Sequence, residues 1–146
     1  MHIIPLEPLA LEGHGYHILV DVIILGKPFK MVVDTGASKT VLDKQTLLSS
    51  GIPEDSFVNT NILSTGLGTN SMESFMFELI NFQIHSWSCK KLSVAVLDLS
   101  SINYAYQQMD LEPVVGVLGG DILMQYAALI DYRKQQMKLR TRKLKR

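Results

Sequence analysis

Residues 29–38 read FKMVVDTGAS, and this stretch decides how the rest of the 146-residue sequence is interpreted. An apolar strand pattern ends in Asp34, and a hydroxyl residue, a glycine and two small residues follow at once. The pattern predicts one carboxylate at the mouth of a tight turn, since Gly36 tolerates backbone conformations that a β-carbon resists. Asp and Gly are also common in plain turns, so the triplet alone does not separate a functional turn from a simple strand end.

A second apolar segment, VVGVLGGDIL at residues 114–123, lies far downstream of that turn. The distance along the chain leaves room for this segment to fold back beside Asp34. Asp121 directly precedes a short helical pattern at residues 122–127, and we expect it to be the N-cap of that helix.

The hydrophobic patterning predicts a single all-β domain with one or two short helices. We expect an N-terminal arm at residues 1–15, a domain at 16–140 and a basic C-terminal tail at 141–146. A second helix is expected up to Leu48 with Asp43 as its cap, and a solvated turn at Lys90-Lys91. The predicted strands span residues 16–25, 29–33, 57–63, 72–80, 82–88, 92–97, 128–130 and 136–139.

The two glycine-bearing segments together resemble the retropepsin-like aspartic proteases, in particular the bacterial single-domain members. The matching stretches are residues 32–38, the glycine-bearing hairpin at 64–68, and residues 117–123. The closing segments at 129–133 and 136–139 are similar as well, so that the resemblance extends from Tyr16 to Leu139. It implies a closed all-β barrel of the double-psi type.

The resemblance implies an aspartic endopeptidase that acts on an extended polypeptide without a metal or an organic cofactor. Family chemistry places one water between two carboxylates, of which one acts as general base and the other as proton donor. Asp34 is then the catalytic residue, Thr35 and Gly36 support its turn, and Thr35 is expected to hydrogen-bond across a two-fold axis. The substrate-binding residues implied are Gly36, Ala37, Ser38 and a mobile flap at Gly66, Leu67 and Gly68.

Only one such acid is present, because no other Asp or Glu in the sequence is followed by a hydroxyl residue and a glycine. The second carboxylate must therefore come from another copy of the chain, which predicts a homodimer with two Asp34 side chains at its axis. The alternative from a different class is a non-catalytic peptide-binding or dimerisation module that keeps the same fold.

Composition excludes several other classes of protein. The apolar fraction of 47% argues against disorder, and no apolar run approaches the length of a membrane-spanning helix. Cys89 is the only cysteine, which excludes an internal disulfide and fits a reducing, cytoplasmic compartment. The four histidines, His2, His14, His17 and His85, show no metal-ligand spacing, so we expect no metal site.

The zero net charge hides an asymmetry between the body of the chain and its C-terminal end. All 14 acidic residues lie at or before Asp131, and eight of the 14 basic residues lie in residues 133–146. Such a basic segment binds nucleic acid or an anionic membrane in some proteins. Because Met137 and Leu139 alternate with Lys138 and Arg140, we expect instead an edge strand with a charged outer face and a disordered end. The expected partners therefore include neither nucleic acid nor a membrane.

Overall fold

The computed structural model describes the backbone of residues 1–66 and 69–145 and the side chains of residues 1–59 and 74–145. Strands dominate the described chain, as the patterning predicts. They are β1 (His2–Pro5), β2 (Glu7–Ala10), β3 (Tyr16–Ile24), β4 (Lys27–Val33), β5 (Val41–Asp43), β6 (Val58–Gly66), β7 (Thr69–Ile84), β8 (Trp87–Leu97), β9 (Gly116–Leu118), β10 (Leu129–Asp131) and β11 (Gln136–Leu139). The helices are α1 (Lys44–Ser49), α2 (Ser100–Gln108) and α3 (Gly120–Gln125), with a 3-10 turn at Glu54–Ser56.

The larger sheet closes into a barrel. Its strand order is β2-β3-β4-β9-β5-β8-β7-β6. Strand β3 also pairs with β7, with Val22 opposite Ile84 and Ile23 opposite Gln83. This extra pairing joins the two ends of a six-stranded segment, which confirms the prediction of a closed all-β barrel. Closure leaves no free edge among these six strands.

The barrel interior is filled by apolar side chains from every wall. Trp87 lies at the centre with 0% exposure and meets the rings of Phe82 and Tyr126 edge-on, at 6.2 Å and 4.8 Å between ring centroids. Its indole N–H donates to the carbonyl oxygen of Arg140 at 3.2 Å, so the buried polar group is satisfied. This hydrogen bond fastens the C-terminal segment to the core.

A second, three-stranded sheet has the order β1-β11-β10. Strand β1 lies within the predicted N-terminal arm and pairs antiparallel with β11, with Ile4 opposite Met137. The prediction that residues 136–139 form an edge strand is therefore wrong, because β11 lies between two neighbours. The alternation itself is present, since Met137 and Leu139 are fully buried and Lys138 lies on the outer face.

The turn between the two longest strands also differs from the prediction. It lies at His85-Ser86, where His85 has a φ of 53°, and Lys90 and Lys91 lie within β8. Both lysines are exposed although they are consecutive in the strand, and Lys91 forms an ion pair with Glu78 at 2.9 Å. Charge marks the exposed positions of a strand as well as the tip of a turn.

Helix α2 was not predicted from the sequence. It contributes one fully packed side chain, Tyr106, to a small apolar cluster outside the barrel that includes Leu11 and Val114. With a single buried residue there is no apolar stripe for the sequence to display. Helix α1 is confirmed, and Asp43 caps it by accepting from the backbone N–H of Thr46 at 3.2 Å.

Candidate active site

The Asp34 turn and the Gly-rich segment lie side by side because β9 is inserted between the strands that flank the turn. Strand β9 runs parallel to β4, with Val33 opposite Leu118, and antiparallel to β5, with Val41 opposite Val117. Residues 34–40 consequently pass around the end of β9. The backbone N–H of Asp34 donates to the carbonyl oxygen of Leu118 at 3.0 Å, which ties the first residue of the turn to that strand.

Gly116, which begins β9, and Gly119, which follows it, are needed because two backbones approach too closely for a side chain. A β-carbon on Gly119 lies 2.5 Å from the carbonyl carbon of Lys39, and one on Gly116 lies 2.0 Å from the carbonyl oxygen of Val41. Neither neighbour can move aside, since both are backbone atoms. Gly120 then donates to the carbonyl oxygen of Ala37 at 2.8 Å and closes the contact between the two segments.

The Asp34 carboxylate is held by its own turn. Its Oδ1 accepts from the backbone N–H of Gly36 at 2.9 Å, and its carbonyl oxygen accepts from Ala37 at 3.2 Å. Asp34 is half-buried, so its carboxylate is oriented and still reaches solvent. The prediction that Gly36 is needed for an unusual backbone conformation is wrong, because its φ is not positive. Glycine is needed here because the carboxylate lies close to it, and a β-carbon on Gly36 would lie 3.3 Å from Oδ1 of Asp34.

A buried hydroxyl joins the two segments below the turn. Thr40 is 0% exposed, donates from Oγ1 to Oδ1 of Asp121 at 2.7 Å, and accepts from the backbone N–H of Gly119 at 3.1 Å. The backbone N–H of Thr40 also donates to Oδ1 of Asp121 at 3.0 Å. Sequence reasoning missed Thr40, because its partners are far away along the chain.

The role of Asp121 differs from the predicted N-cap. Gly119 occupies the cap position of α3, and Asp121 lies in the first helical turn. Its Oδ1 accepts from the two Thr40 donors and from the backbone N–H of Ile122 at 2.9 Å. Asp121 therefore connects the helix to the end of the Asp34 turn, and its Oδ2 is buried without a partner among the described residues.

The other predicted substrate-binding residues are placed unevenly. Thr35, Gly36 and Ser38 are exposed around Asp34, and Ala37 is half-buried against Gly120. In the proposed flap, Gly66 ends β6 and pairs with Thr69 of β7, which agrees with a hairpin. Leu67 and Gly68 lie outside the described residues.

Two of the four histidines, His2 and His17, each hydrogen-bond to hydroxyl side chains of their own. His17 Nδ1 lies 2.6 Å from the hydroxyl of Tyr106, and His2 contacts Ser86 at 2.9 Å and Thr141 at 3.2 Å. Within the described residues, no three His, Cys, Asp or Glu side chains are arranged to hold a metal ion. Cys89 is free and buried, and in the same part of the chain no helix has the length and apolar character to cross a membrane.

Comparison with known proteins agrees with this architecture. A family model described as aspartyl protease matches residues 20–122, so the chain belongs to this aspartyl protease family. No curated protein gives a significant sequence match. The chain is similar in structure to a retropepsin-like aspartic protease from Rickettsia conorii, with a TM-score of 0.62, 18% identity and coverage of 94% of this chain and 97% of that one.

Two further solved structures have the same fold. The retroviral protease-like domain of Ddi1 from Leishmania major gives a TM-score of 0.55 at 15% identity, covering 83% of this chain and 86% of that domain. The EIAV protease in complex with the inhibitor HBY-793 gives 0.54 at 21% identity, covering 77% of this chain and 90% of that one. These likenesses confirm the predicted retropepsin-like fold.

Proposed function

We propose that this protein is an aspartic endopeptidase that acts as a homodimer, with one water held between two Asp34 carboxylates. The observation that carries the proposal is the Asp34 carboxylate itself, oriented by the N–H of Gly36 and half-exposed at the end of β4. In the proposed dimer this carboxylate lies at the two-fold axis, where a module without chemistry gains nothing from placing two like charges together. Membership of the aspartyl protease family supports the same reaction class.

Two acids on elements next to the site, Asp43 at the end of β5 and Asp121 in α3, are already engaged, which supports the need for a second copy. Asp43 is 2% exposed and accepts from Thr46 and from the backbone N–H of Leu99 at 2.8 Å. Asp121 is held by Thr40. An isologous dimer instead brings two identical Asp34 turns to one axis. Thr35 is exposed, and its hydroxyl is expected to hydrogen-bond across that axis.

The reaction then needs no covalent intermediate. Two adjacent carboxylates do not both ionise, so one Asp34 is ionised and its partner holds a proton. The ionised group takes a proton from the water, whose oxygen attacks the scissile carbonyl carbon while the protonated group gives its proton to the carbonyl oxygen. The neutral gem-diol intermediate collapses when the carboxyl that took the water proton gives it to the amide nitrogen and the carbon–nitrogen bond breaks. The other carboxylate takes a proton from one of the two hydroxyls, so that acid and amine are released and one Asp34 is again ionised and the other protonated.

The substrate of the proposed enzyme is an extended polypeptide. Its backbone is expected to pair with residues 36–38 on one side and with the hairpin of β6 and β7 on the other, in the manner of strand addition. The exposed position of Gly36 and Ser38 beside the carboxylate supports this placement. The buried, free thiol of Cys89 is compatible with a reducing compartment, and we propose a cytoplasmic location.

A peptide-library cleavage assay across pH tests the proposal, with Asp34→Asn as the variant. We expect the cleavage rate to fall by roughly a thousandfold or more, because the amide neither accepts nor donates the required proton. Asp110→Asn is the matched control, since Asp110 is exposed and its φ of 57° suits asparagine as well as aspartate. If the Asp34 variant cleaves as fast as the control, the catalytic assignment is wrong and the non-catalytic module is favoured.

A further inference from the structure

The terminal sheet has one face in the core and one face in solvent, and the solvent face is unusual. Ile4, Met137 and Ile130 lie opposite one another on the core side. On the outer side, Lys138 lies between Ile3 and Leu129, which are 54% and 57% exposed. Two large aliphatic side chains therefore flank a lysine on a three-stranded surface.

The segment after β11 continues this surface with more cations. Arg140 and Arg142 line a shallow depression of about 550 Å³ together with Met1 and Thr141. We call the surface formed by Ile3, Leu129, Lys138, Arg140 and Arg142 the basic face. Among the described residues the ion pairs involve Lys30, Lys44 and Lys91 only, so no cation of the basic face is neutralised by a carboxylate there.

The basic face is held in place by the fold. The backbone N–H of Arg140 donates to the backbone carbonyl oxygen of Tyr126 at 2.9 Å, and that of Leu144 donates to the backbone carbonyl oxygen of Gln125 at 2.7 Å. The carbonyl oxygen of Arg140 accepts from the buried Trp87. Where the sequence predicted a disordered end, two backbone hydrogen bonds thus join residues 140–144 to residues 125 and 126 at the end of α3.

We propose that the basic face docks onto an anionic lipid surface. Cations attract the phosphate headgroups, and the exposed aliphatic side chains enter the boundary between headgroups and acyl chains. This combination fits lipid better than nucleic acid, because Ile3 and Leu129 have no planar ring on which a base stacks. A face-to-face contact with a second copy fits poorly, since an isologous arrangement places Lys138 and Arg140 against their own equivalents. The proposal replaces the expectation of a protein without membrane contact.

Co-sedimentation with vesicles tests this docking on the full chain. The probes are vesicles of equal parts phosphatidylglycerol and phosphatidylcholine, and vesicles of phosphatidylcholine alone. We expect binding to the anionic vesicles only, and weaker binding as ionic strength rises from about 0.05 M to about 0.5 M. Replacing Lys138, Arg140 and Arg142 together by Gln is expected to lower the partition coefficient roughly a hundredfold.

Matched variants distinguish binding through the basic face from binding that depends only on net charge or on exposed apolar side chains elsewhere. Replacing Lys27, Lys90 and Lys91 by Gln removes the same charge from exposed positions of the body and is expected to leave binding within about threefold of the unmodified protein. Ile3→Ser with Leu129→Ser is expected to weaken binding roughly tenfold, whereas Ile23→Ser with Ile80→Ser leaves it unchanged. All these side chains are at least partly exposed, so thermal unfolding is expected to show folded variants.

Several outcomes overturn the proposal. One is equal binding to neutral and anionic vesicles. Another is an equal loss of vesicle binding when the charges of the basic face are removed and when Lys27, Lys90 and Lys91 are replaced. A single-stranded RNA that is bound more tightly than the anionic vesicles makes the basic face a nucleic-acid surface instead. Loss of dimerisation in the Ile3/Leu129 variant, measured by sedimentation, makes it a contact between copies. Asp34→Asn is expected to bind vesicles normally, so the result is independent of the proposed catalysis.

Discussion

Replacing Thr40 by Val tests the link between the Asp34 turn and the Gly-rich segment. Valine has nearly the shape of threonine, so the change removes the hydroxyl of a fully buried side chain without opening a large cavity. Two hydrogen bonds are lost, to Oδ1 of Asp121 at 2.7 Å and from the N–H of Gly119 at 3.1 Å. The backbone N–H of Thr40 still donates to Asp121, so the carboxylate keeps part of its bonding.

The expected cost follows from these two contacts. A buried N–H left without an acceptor costs about 1–3 kcal/mol, and a hydrogen bond to a carboxylate is worth about 1.5–3 kcal/mol. Since neighbouring contacts are not additive, we expect Thr40→Val to lower the free energy of unfolding by about 3 kcal/mol. Thr40→Ser keeps the hydroxyl and is expected to lose only about 1 kcal/mol, the contribution of one buried methyl group.

Urea unfolding followed by tryptophan fluorescence measures this cost directly. Trp87 is the only tryptophan and lies fully in the core, so its emission reports the whole barrel. Measurements at one fixed protein concentration keep any dimer contribution constant. Thr141→Val is the control, since Thr141 is exposed and its loss is expected to stay within about 0.5 kcal/mol. If Thr40→Val costs no more than this control, the hydroxyl does not hold the two segments together.

Two further changes probe the frame of the site and the cluster outside the barrel. Gly119→Ala is expected to lower the free energy of unfolding by more than about 3 kcal/mol or to prevent folding, because its β-carbon meets the backbone of Lys39. The control is Gly13→Ala, at a φ of 80° with open space around it, which is expected to cost about 1–2 kcal/mol. Equal urea midpoints for the two variants contradict the clash at Gly119. Burial raises the pKa of Tyr106 from 10.0 to about 12. The neutral phenol is favoured in the fold, so the free energy of unfolding is expected to fall between about pH 10 and 12 and to fall less steeply in Tyr106→Phe; identical pH profiles contradict this.

The features predicted from sequence are those that short stretches encode by themselves. An apolar run ending in Asp-Thr-Gly specifies a strand and its turn locally, and the glycines of residues 116–120 record the close backbone approach of β9. Asp43 caps α1 through Thr46, three residues away. In each case the partner lies within a few positions, or glycine itself marks the contact.

The features that sequence reasoning missed depend on distant partners. Strand β11 is interior because His2–Pro5 returns from the other end of the chain to pair with it, and no pattern in residues 136–139 records that pairing. In the sequence Asp121 resembles a helix cap, but in the fold its Oδ1 accepts a hydrogen bond from Thr40, which lies 81 positions earlier in the chain. Helix α2 was not predicted because Tyr106 is its only buried residue, so its sequence shows no apolar stripe.

The central claim is that two copies of Asp34 form one catalytic site, and a subunit-mixing experiment tests it most directly. Unmodified chain and Asp34→Asn chain are mixed at constant total concentration and allowed to exchange, and peptide cleavage is measured against the fraction of unmodified chain. If both acids are required, activity follows the square of that fraction, so an equal mixture retains about one quarter of full activity. Activity proportional to the fraction, about one half in the equal mixture, contradicts the shared site and assigns catalysis to a single chain.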